Sequence, residues 1–153
     1  MGISLILPNI RSCHNVGAMF RTADAFGIKK LFLVGYTAHP PKPQIDKVSL
    51  GAETWVSWES RDELLPLLKE LQEIGVLLVA LEKNNQSINI SSIPAEISDK
   101  EIALIVGNEV DGVSEEVLQM VDYTVHIPMQ GKKESLNVSI AAGVAMYALA
   151  QVT

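Results

Sequence analysis

The stretch that decides the fold is residues 4–34, SLILPNIRSCHNVGAMFRTADAFGIKKLFLV. Its first four residues form a short apolar run that predicts a buried strand. Residues 16–26 have the apolar spacing of a helix, for which Asn15 is the predicted N-cap. Residues 30–34 are a second apolar strand. A strand, a loop, a helix and another strand in this order predict the opening of an α/β domain.

The alternation of strands and helices continues to the end of the chain. Further short apolar or β-prone runs predict strands at residues 55–58, 76–81, 102–106 and 123–127. The helices predicted between and after them are a turn at residues 45–50, a helix that follows Ser60, contains Leu64 to Leu71 and ends before Gly75, a short helix from Ser114 and a final helix at residues 137–150. This pattern predicts a mainly parallel sheet flanked by helices on both faces.

Two local signals refine this outline. Ser60 and Glu63 have the spacing of a capping box, and the leucines that follow fall on one helical face. Residues 35–43 contain three prolines, which suit a loop rather than a regular element. We expect that loop to face a substrate.

Composition limits the class of protein. The 153 residues suit a single domain over residues 1–153, and no apolar run approaches the roughly 20 residues that span a bilayer. Cys13 is the only cysteine, and the three histidines show no metal-ligand spacing. No secretory signal is evident at the N-terminus. We therefore expect a cytoplasmic protein without a membrane span or a metal.

The charge distribution qualifies the acidic balance of the chain. A net charge of −6 and a pI of about 5.0 argue against a protein that coats nucleic acid through bulk positive charge. Residues 1–52, however, hold six basic and two acidic side chains. A local basic surface is possible there, with Lys132 and Lys133 as outlying candidates. Lysines scattered for solubility explain the charges equally well.

The final helix is apolar around most of its circumference. A helix of this kind must be covered on all sides. In a domain of this size one layer of helices covers each sheet face. We therefore expect the outer side of this helix to meet a second subunit in a homodimer.

Several common site motifs are excluded. No two glycines have the G-x-G spacing of a dinucleotide-binding turn. Gly107 and Gly112 have the Walker spacing, but Val113 and Ser114 stand where a P-loop requires Lys and Ser or Thr. Phosphoryl transfer therefore has no basis in the sequence. Cys13, beside His14, is more simply an inert small residue than a nucleophile.

Three segments carry more polar residues and glycines than a buried sheet needs. They are NVGAMFRT (residues 15–22), IVGNEVDGV (residues 105–113) and IPMQGKKESLNVS (residues 127–139). Taken singly, each has a structural explanation: Asn15 and Asn137 could cap helices, Arg21 could form a surface ion pair and Glu109 could lie in a turn. Together they form loops at the carboxyl ends of strands, where open α/β sheets bind their ligands.

The chain resembles the SpoU-type (TrmH-like) RNA 2'-O-methyltransferases of the SPOUT superfamily. The three segments match that family's three motifs in order: N-x-x-x-x-x-R, G-N-E-x-x-G and I-P-M-x-G-x-x-x-S-L-N. The resemblance covers nearly the whole chain. It implies the SPOUT fold, in which the C-terminal part of a parallel sheet forms a deep trefoil knot. Physical reasoning alone would not propose a knot, because knots are nearly absent from proteins.

The resemblance also implies S-adenosylmethionine as cofactor. The positions that map to its pocket are Leu81, Gly107, Ile127, Met129, Ser135 and Leu136. Apolar side chains among them can hold a base between two walls, while a glycine allows close approach of the backbone. Each of these positions could also be an ordinary core residue.

The same resemblance suggests the catalytic residues Asn15, Arg21, Glu109, Ser135 and Asn137. A guanidinium keeps its proton in proteins, so Arg21 is interpreted as a phosphate clamp and a stabiliser of developing alkoxide charge. Glu109 is then the proton acceptor or an orienting group. The remaining three would fix the ribose, the arginine or the third motif by hydrogen bonds.

The resemblance predicts methyl transfer to a ribose 2'-hydroxyl of structured RNA by a domain with no separate RNA-binding extension. Residues 49–55 resemble the tRNA branch of the family, so we favour tRNA as substrate. Two alternatives stay open: an rRNA 2'-O-methyltransferase, and a catalytically silent RNA-binding protein with the same fold.

Overall fold

A computed structural model describes residues 2–153, which form one seven-stranded sheet with helices on both faces. The strands are β1 (Ile3–Pro8), β2 (Lys30–Val34), β3 (Trp58–Arg61), β4 (Leu77–Leu81), β5 (Ile88–Asn89), β6 (Ile102–Ile105) and β7 (Tyr123–His126). The helices are α1 (Cys13–Ala25), α2 (Pro43–Ser49), α3 (Leu64–Glu73), α4 (Glu115–Met120) and α5 (Val138–Ala150). The strand order is β3-β2-β1-β6-β4-β7-β5, and all pairs are parallel. The predicted parallel α/β architecture is confirmed.

Alternation along the strands divides the core between the two sheet faces. Leu5 and Leu7 of β1 pack in one cluster with α1, α2 and α5, whereas Ile6 packs in the other with α3 and α4. Each strand of the sheet centre is buried on both sides, which explains its continuous apolar sequence. None of the helices in residues 2–153 is long and apolar enough to cross a membrane.

Parallel pairing places the carboxyl ends of all strands at one edge of the sheet. The loop after β1, the 107–112 loop after β6 and the segment that follows β7 therefore lie together at this edge. The three segments with unusual polar content come from these connections. The topology, rather than proximity in sequence, brings them into one site.

The start of α1 differs from the prediction. The helix begins at Cys13, three residues before the predicted start, and its N-cap is Ser12, whose side chain accepts a hydrogen bond from the Asn15 backbone. The assignment of Asn15 as N-cap was wrong, because its side chain is bonded to residues distant in sequence. With this start, Arg21 lies on the third turn of α1 rather than the second.

The third strand was predicted three residues too early. Residues 52–54 form a 3₁₀ turn instead, and the Trp55 and Val56 backbone N–H groups donate to the Ala52 carbonyl. Strand β3 starts at Trp58, whose position pairs with Leu31 of β2. Ser60 therefore belongs to β3, and the predicted capping box is wrong: Glu63 is the N-cap of α3 and makes no side-chain cap bond.

The remaining predicted elements agree with the structure to within one or two residues, including β2, β4, β6, β7 and α5. The predicted 35–43 loop ends early, because Pro43 begins α2. Its fixed φ and missing N–H suit the first position of a helix. Strand β5, only two residues long, was not predicted.

Helices α1 and α2 meet at Gly17, which has no room for a side chain. A Cβ at this position would lie 2.7 Å from the Ile45 carbonyl oxygen and 2.9 Å from the Val48 Cβ. The first of these atoms belongs to the backbone and cannot rotate away. Gly17 therefore sets the distance between the two helices.

We expect Gly17→Ala to lower the free energy of unfolding by about 1–2 kcal/mol. The gain in helix propensity is about 1 kcal/mol, whereas overpacking against a backbone atom costs about 2–3 kcal/mol, the upper part of the usual range. Gly143→Ala in α5 is the matched control, because its nearest neighbour is the Thr22 side-chain Cγ2 at 3.3 Å and not a backbone atom. Urea denaturation of both variants measures the difference. A Gly17→Ala protein as stable as the wild type would show that the contact can relax.

Candidate functional site

A cavity of about 420 Å³ lies at the carboxyl edge of the sheet. Its walls come from the end of β4, the 107–112 loop, the segment after β7 and the start of α5. The six positions predicted to hold a cofactor all line it: Leu81, Gly107, Ile127, Met129, Ser135 and Leu136. Residues that are up to 55 positions apart in the sequence thus line the same cavity.

The 107–112 loop owes its shape to its two glycines and an asparagine. Asn108 and Gly112 form an isolated antiparallel bridge, and a Cβ on Gly107 would lie 2.8 Å from the Gly112 Cα. The Asn108 side-chain oxygen accepts hydrogen bonds from the Val110 and Asp111 backbones, at 2.8 and 3.1 Å. The loop is therefore closed on itself and presents a fixed surface to the cavity.

A chain of hydrogen bonds joins the three polar segments. The Asn137 side-chain amide donates to the Asn15 Oδ1 at 3.3 Å, and the Asn15 amide donates to the Glu109 Oε2 at 3.1 Å. Asn15 is buried, with 6 % of its surface exposed. Each asparagine acts as donor or acceptor to a residue about 100 positions away in the sequence. This chain fixes the first, second and third segments relative to one another.

Glu109 is held by three donors. Its two carboxylate oxygens accept hydrogen bonds from the Arg11 and Ser12 backbone N–H groups, at 2.8 and 2.9 Å, in addition to the Asn15 amide. Partial burial is the largest single influence and acts to raise the Glu109 pKa, but the hydrogen bonds together outweigh it. The pKa is therefore lowered below its ordinary value, and the carboxylate is ionised at neutral pH.

Asn137 combines two tasks. It is the N-cap of α5, where its oxygen accepts from the Ser139 backbone at 2.8 Å, while its amide group reaches Asn15. The start of α5 is thereby fixed to α1. Ser135, two residues earlier, is exposed and lines the cavity, so its hydroxyl is available to a ligand.

Arg21 is not part of this group. It is exposed on α1 and does not line the cavity. It lies six positions after Asn15 on the helix, which corresponds to roughly 9 Å along the helix axis. The structure therefore brings together Asn15, Glu109, Ser135 and Asn137 and leaves Arg21 on a neighbouring surface.

The sequence did not single out Glu82, which also lines the cavity. Its carboxylate accepts a hydrogen bond from the Val113 backbone at 3.0 Å and so ties the 107–112 loop to the end of β4. Its place directly after a buried strand was the signal that could have found it. His126 lines the cavity as well, with its Nδ1 2.8 Å from the Ser87 hydroxyl.

Carboxylates outnumber cations around the cavity. Glu82, Glu109 and Glu134 line it, against Lys83 as the one ammonium in the lining. Across residues 2–153, no three His, Cys, Asp or Glu side chains are grouped so as to hold a metal ion. The cavity thus suits an organic ligand with apolar and polar parts and a positive charge.

Comparison with known proteins identifies relatives over most of the chain. The sequence model of the SpoU rRNA Methylase family matches residues 2–147. A tRNA (guanosine(18)-2'-O)-methyltransferase from Aquifex aeolicus is 36 % identical over 140 residues, which are 91 % of this chain and 64 % of that protein. A 23S rRNA (guanosine-2'-O-)-methyltransferase from Neisseria meningitidis is 32 % identical over 143 residues, 93 % of this chain and 55 % of that protein. The chain therefore spans less than two thirds of either relative.

A solved structure shows the same fold. The AdoMet-bound rRNA methyltransferase from Sinorhizobium meliloti superposes with a TM-score of 0.89 at 26 % identity, covering 98 % of this chain and 56 % of that one. The similarity extends over β1 to α5, and so includes all three polar segments.

The lowered pKa of Glu109 predicts how the free energy of unfolding depends on pH. A carboxyl group whose pKa is depressed in the folded state stabilises the protein above its unfolded pKa, near 4.5, and loses this effect as the pH falls through the folded pKa. Wild type should therefore be more stable than Glu109→Gln at pH 7, and the difference should shrink below about pH 4.5. Urea midpoints between pH 7 and pH 3 measure it.

The control for that experiment is Glu73→Gln, which neutralises an exposed carboxylate at the end of α3. Its effect reports the general consequence of removing one negative charge. If Glu109→Gln matches this control at every pH, the hydrogen bonds to Glu109 contribute no net stability.

Proposed function

Because the chain belongs to the SpoU rRNA methylase family, we propose that it transfers a methyl group from S-adenosylmethionine to a ribose 2'-hydroxyl of structured RNA. One observation carries the proposal. The Asn137–Asn15–Glu109 hydrogen-bond chain borders a cavity that is lined by every position predicted to hold the cofactor.

The cavity fits S-adenosylmethionine in size and chemistry. Its volume of about 420 Å³ lies in the range of small-molecule sites, roughly 300–1,000 Å³. Leu81, Ile127 and Leu136 offer apolar walls for the adenine ring, and the carboxylates of Glu82 and Glu134 favour a cation. When bound, this cofactor supplies an electrophilic methyl group on a positively charged sulfur.

The protein's own task is to hold the ribose hydroxyl and stabilise the charge that develops on its oxygen. Arg21 does the second, by directing its guanidinium at the ribose oxygen and the neighbouring phosphate. Its position outside the cavity lining suits a group that approaches from the RNA side. Ser135, with its free hydroxyl at the cavity, orients the ribose.

Glu109 acts as an orienting group rather than as the proton acceptor. A carboxylate with a lowered pKa that already accepts three hydrogen bonds is a weak base, so the proton that the 2'-hydroxyl loses when its oxygen takes the methyl group passes to solvent water. Its bonds to Arg11, Ser12 and Asn15 fix the N-terminal end of α1, and thereby the direction in which α1 presents Arg21. Asn15 and Asn137 extend the same arrangement to the start of α5.

We further propose that the C-terminal part of the chain forms the trefoil knot that the family resemblance implies. The order β4-β7-β5 supports it, since β7 enters between two strands that precede it in the chain. The segment after β7 then lies beside the 107–112 loop at the cavity. A knot at this place would hold both cavity walls together without a disulfide or a metal.

Structured RNA, tRNA in preference to rRNA, is the proposed substrate, and the cytoplasm the proposed location. The tRNA relative has the higher identity of the two described above, and the buried Ser49 of residues 49–55 donates its hydroxyl hydrogen to the Glu53 carboxylate. That segment therefore has a defined shape beside α1. Methylation assays with unmodified tRNA and rRNA, followed by nucleoside analysis, distinguish the two substrates.

Replacement of Arg21 tests the catalytic assignment. We expect Arg21→Ala to lower the single-turnover rate of methyl transfer by roughly two to three orders of magnitude, as for loss of one preorganised donor, with S-adenosylmethionine affinity nearly unchanged. Arg21→Lys should also be impaired, because an ammonium cannot engage two oxygens in a plane. Single-turnover assays at saturating cofactor, paired with calorimetry, measure both effects.

Two outcomes would count against these assignments. A near-normal rate for Arg21→Ala would remove Arg21 from the catalytic centre. A wild-type protein that binds RNA but neither binds S-adenosylmethionine nor transfers methyl would be a silent RNA-binding protein with this fold.

A homodimer formed through α5 is the second part of the proposal. Ile140, Val144 and Tyr147 form a stripe along α5 and are 56, 41 and 54 % exposed. The opposite side of α5 is buried against α1 and β1. A single exposed apolar residue is common on protein surfaces, but three adjacent large ones form a contiguous patch that is typical of a contact surface. A second copy of the chain would cover them.

We expect Val144→Asp to convert the dimer to a monomer, because a carboxylate buried without a partner costs several kcal/mol. Ile74→Asp is the control: Ile74 is 72 % exposed at the end of α3, away from α5. Light scattering at micromolar concentration distinguishes the two states. A wild-type protein that is monomeric there would contradict the dimer.

A further inference from the structure

A second cavity, of about 270 Å³, lies on the other side of the 107–112 loop. It shares Val106, Asn108 and Gly112 with the first cavity. Its other walls come from the ends of β1 and β6 and from α3 and α4, which cover the opposite sheet face. The two cavities are therefore separated by the thickness of one loop at the carboxyl edge of the sheet.

The mouth of this second cavity is held by a hydrogen-bond network. The Asn108 amide donates to the Asn9 carbonyl oxygen and, at 3.0 Å, to the Tyr36 hydroxyl. The Asn9 side-chain oxygen accepts from the Tyr36 backbone at 3.1 Å. Gly35 makes this possible, since a Cβ there would lie 2.0 Å from that Asn9 oxygen. The loops after β1, β2 and β6 thus act as one rigid unit.

The lining offers three kinds of contact to a ligand. Leu64, Val113 and Val117 are apolar, and Tyr36 as a whole residue is 61 % exposed although both its backbone and its hydroxyl are bonded. Asp111 lines the cavity with an exposed side chain, and within residues 2–153 no hydrogen bond or ion pair engages its carboxylate. A flat ring with N–H donors on its edge could pack against the apolar side chains, stack on Tyr36 and donate hydrogen bonds to the Asp111 carboxylate.

We propose that this second cavity binds a guanine base of the RNA, stacked against Tyr36 and recognised at its edge by Asp111. This inference rests on the proposed function, because the base belongs to the RNA that the protein would methylate. Aromatic side chains stack on unpaired bases in single-stranded RNA, and their Watson–Crick edges are read by hydrogen bonds. Guanine presents neighbouring N–H donors there, which a carboxylate accepts, whereas adenine turns an acceptor toward the same group.

The charge of Asp111 also excludes the RNA backbone as occupant. A carboxylate repels a phosphate, so the cavity favours the uncharged base over the chain that carries it. Because Asn108 and Gly112 border both cavities, one nucleotide can place its base in the second cavity and turn its ribose toward the first. The second cavity therefore selects the nucleotide, and the first holds the cofactor.

Titration with free nucleosides tests this assignment separately from methyl transfer. The probes are guanosine and adenosine, added to protein saturated with S-adenosylhomocysteine and followed by the backbone amide signals in NMR spectra. We expect guanosine to shift the signals of Tyr36 and Asp111 and to bind at least about tenfold more tightly than adenosine.

Two variants and a control sharpen the test. Tyr36→Ala should weaken guanosine binding by about tenfold or more, as for loss of one stacking partner. Asp111→Asn should remove most of the preference for guanosine over adenosine. Asp99→Asn removes another exposed carboxylate, which precedes β6 at the opposite edge of the sheet, and should change neither. Calorimetry with S-adenosylhomocysteine shows that the first cavity is intact in each variant.

The outcomes separate this inference from the proposed function. Equal binding of the two nucleosides, or shifts that avoid Tyr36 and Asp111, would overturn the guanine site even if the protein methylates RNA. A protein that binds guanosine as expected but transfers no methyl would retain the site and lose the proposed activity.

Discussion

The hydrogen-bond chain from Asn137 through Asn15 to Glu109 is the constraint on which the site depends. It links the start of α5, the start of α1 and the loop after β6, which are far apart in the sequence. Asn15 is buried, so loss of either neighbour would leave a polar group without a partner, at a cost of about 1–3 kcal/mol. The three segments must therefore be present together, and this explains why all three polar patterns occur in one short chain.

The parallel sheet supplies the frame for this chain of bonds. Parallel strands need long crossover connections, each of which crosses the sheet before the next strand begins. The carboxyl ends of all strands therefore lie at the same edge. The 107–112 loop stands at the centre of that edge because β6 is the central strand of the order β3-β2-β1-β6-β4-β7-β5. Its close approach between Gly107 and Gly112 leaves space for a cavity on each side. A side chain at Gly107 would collide with the Gly112 backbone and one at Gly112 with the Glu82 carboxylate, so either would force the loop open.

The sequence predicted those parts of the structure that local physics decides. Lys30–Val34 is a strand because its residues are apolar and buried on both faces, and α5 starts at an asparagine that caps it. Ser12, a preferred N-cap type, was the local signal for the start of α1, whereas nothing local showed that the Asn15 side chain is bonded to a carboxylate 94 positions away and is therefore not the cap. The positions predicted to hold the cofactor came from family resemblance, whereas Tyr36 enters the second cavity only through contacts between loops. The chain path that would make a knot leaves no local signal at all.

The acidic net charge of the chain is compatible with the proposed RNA substrate when the cofactor and the RNA are considered separately. A sulfonium cofactor is a cation and RNA is a polyanion, so one uniform field cannot attract both. The carboxylates of Glu82, Glu109 and Glu134 line the first cavity, whereas Arg11 and Arg21 are exposed on the neighbouring surface of the basic N-terminal third. Because Glu109 accepts its hydrogen bond from the Arg11 backbone, the Arg11 guanidinium remains free for phosphate. Negative charge thus predominates inside the cavity and positive charge lies at its border, an arrangement that suits the cationic cofactor and the anionic RNA of the proposed reaction.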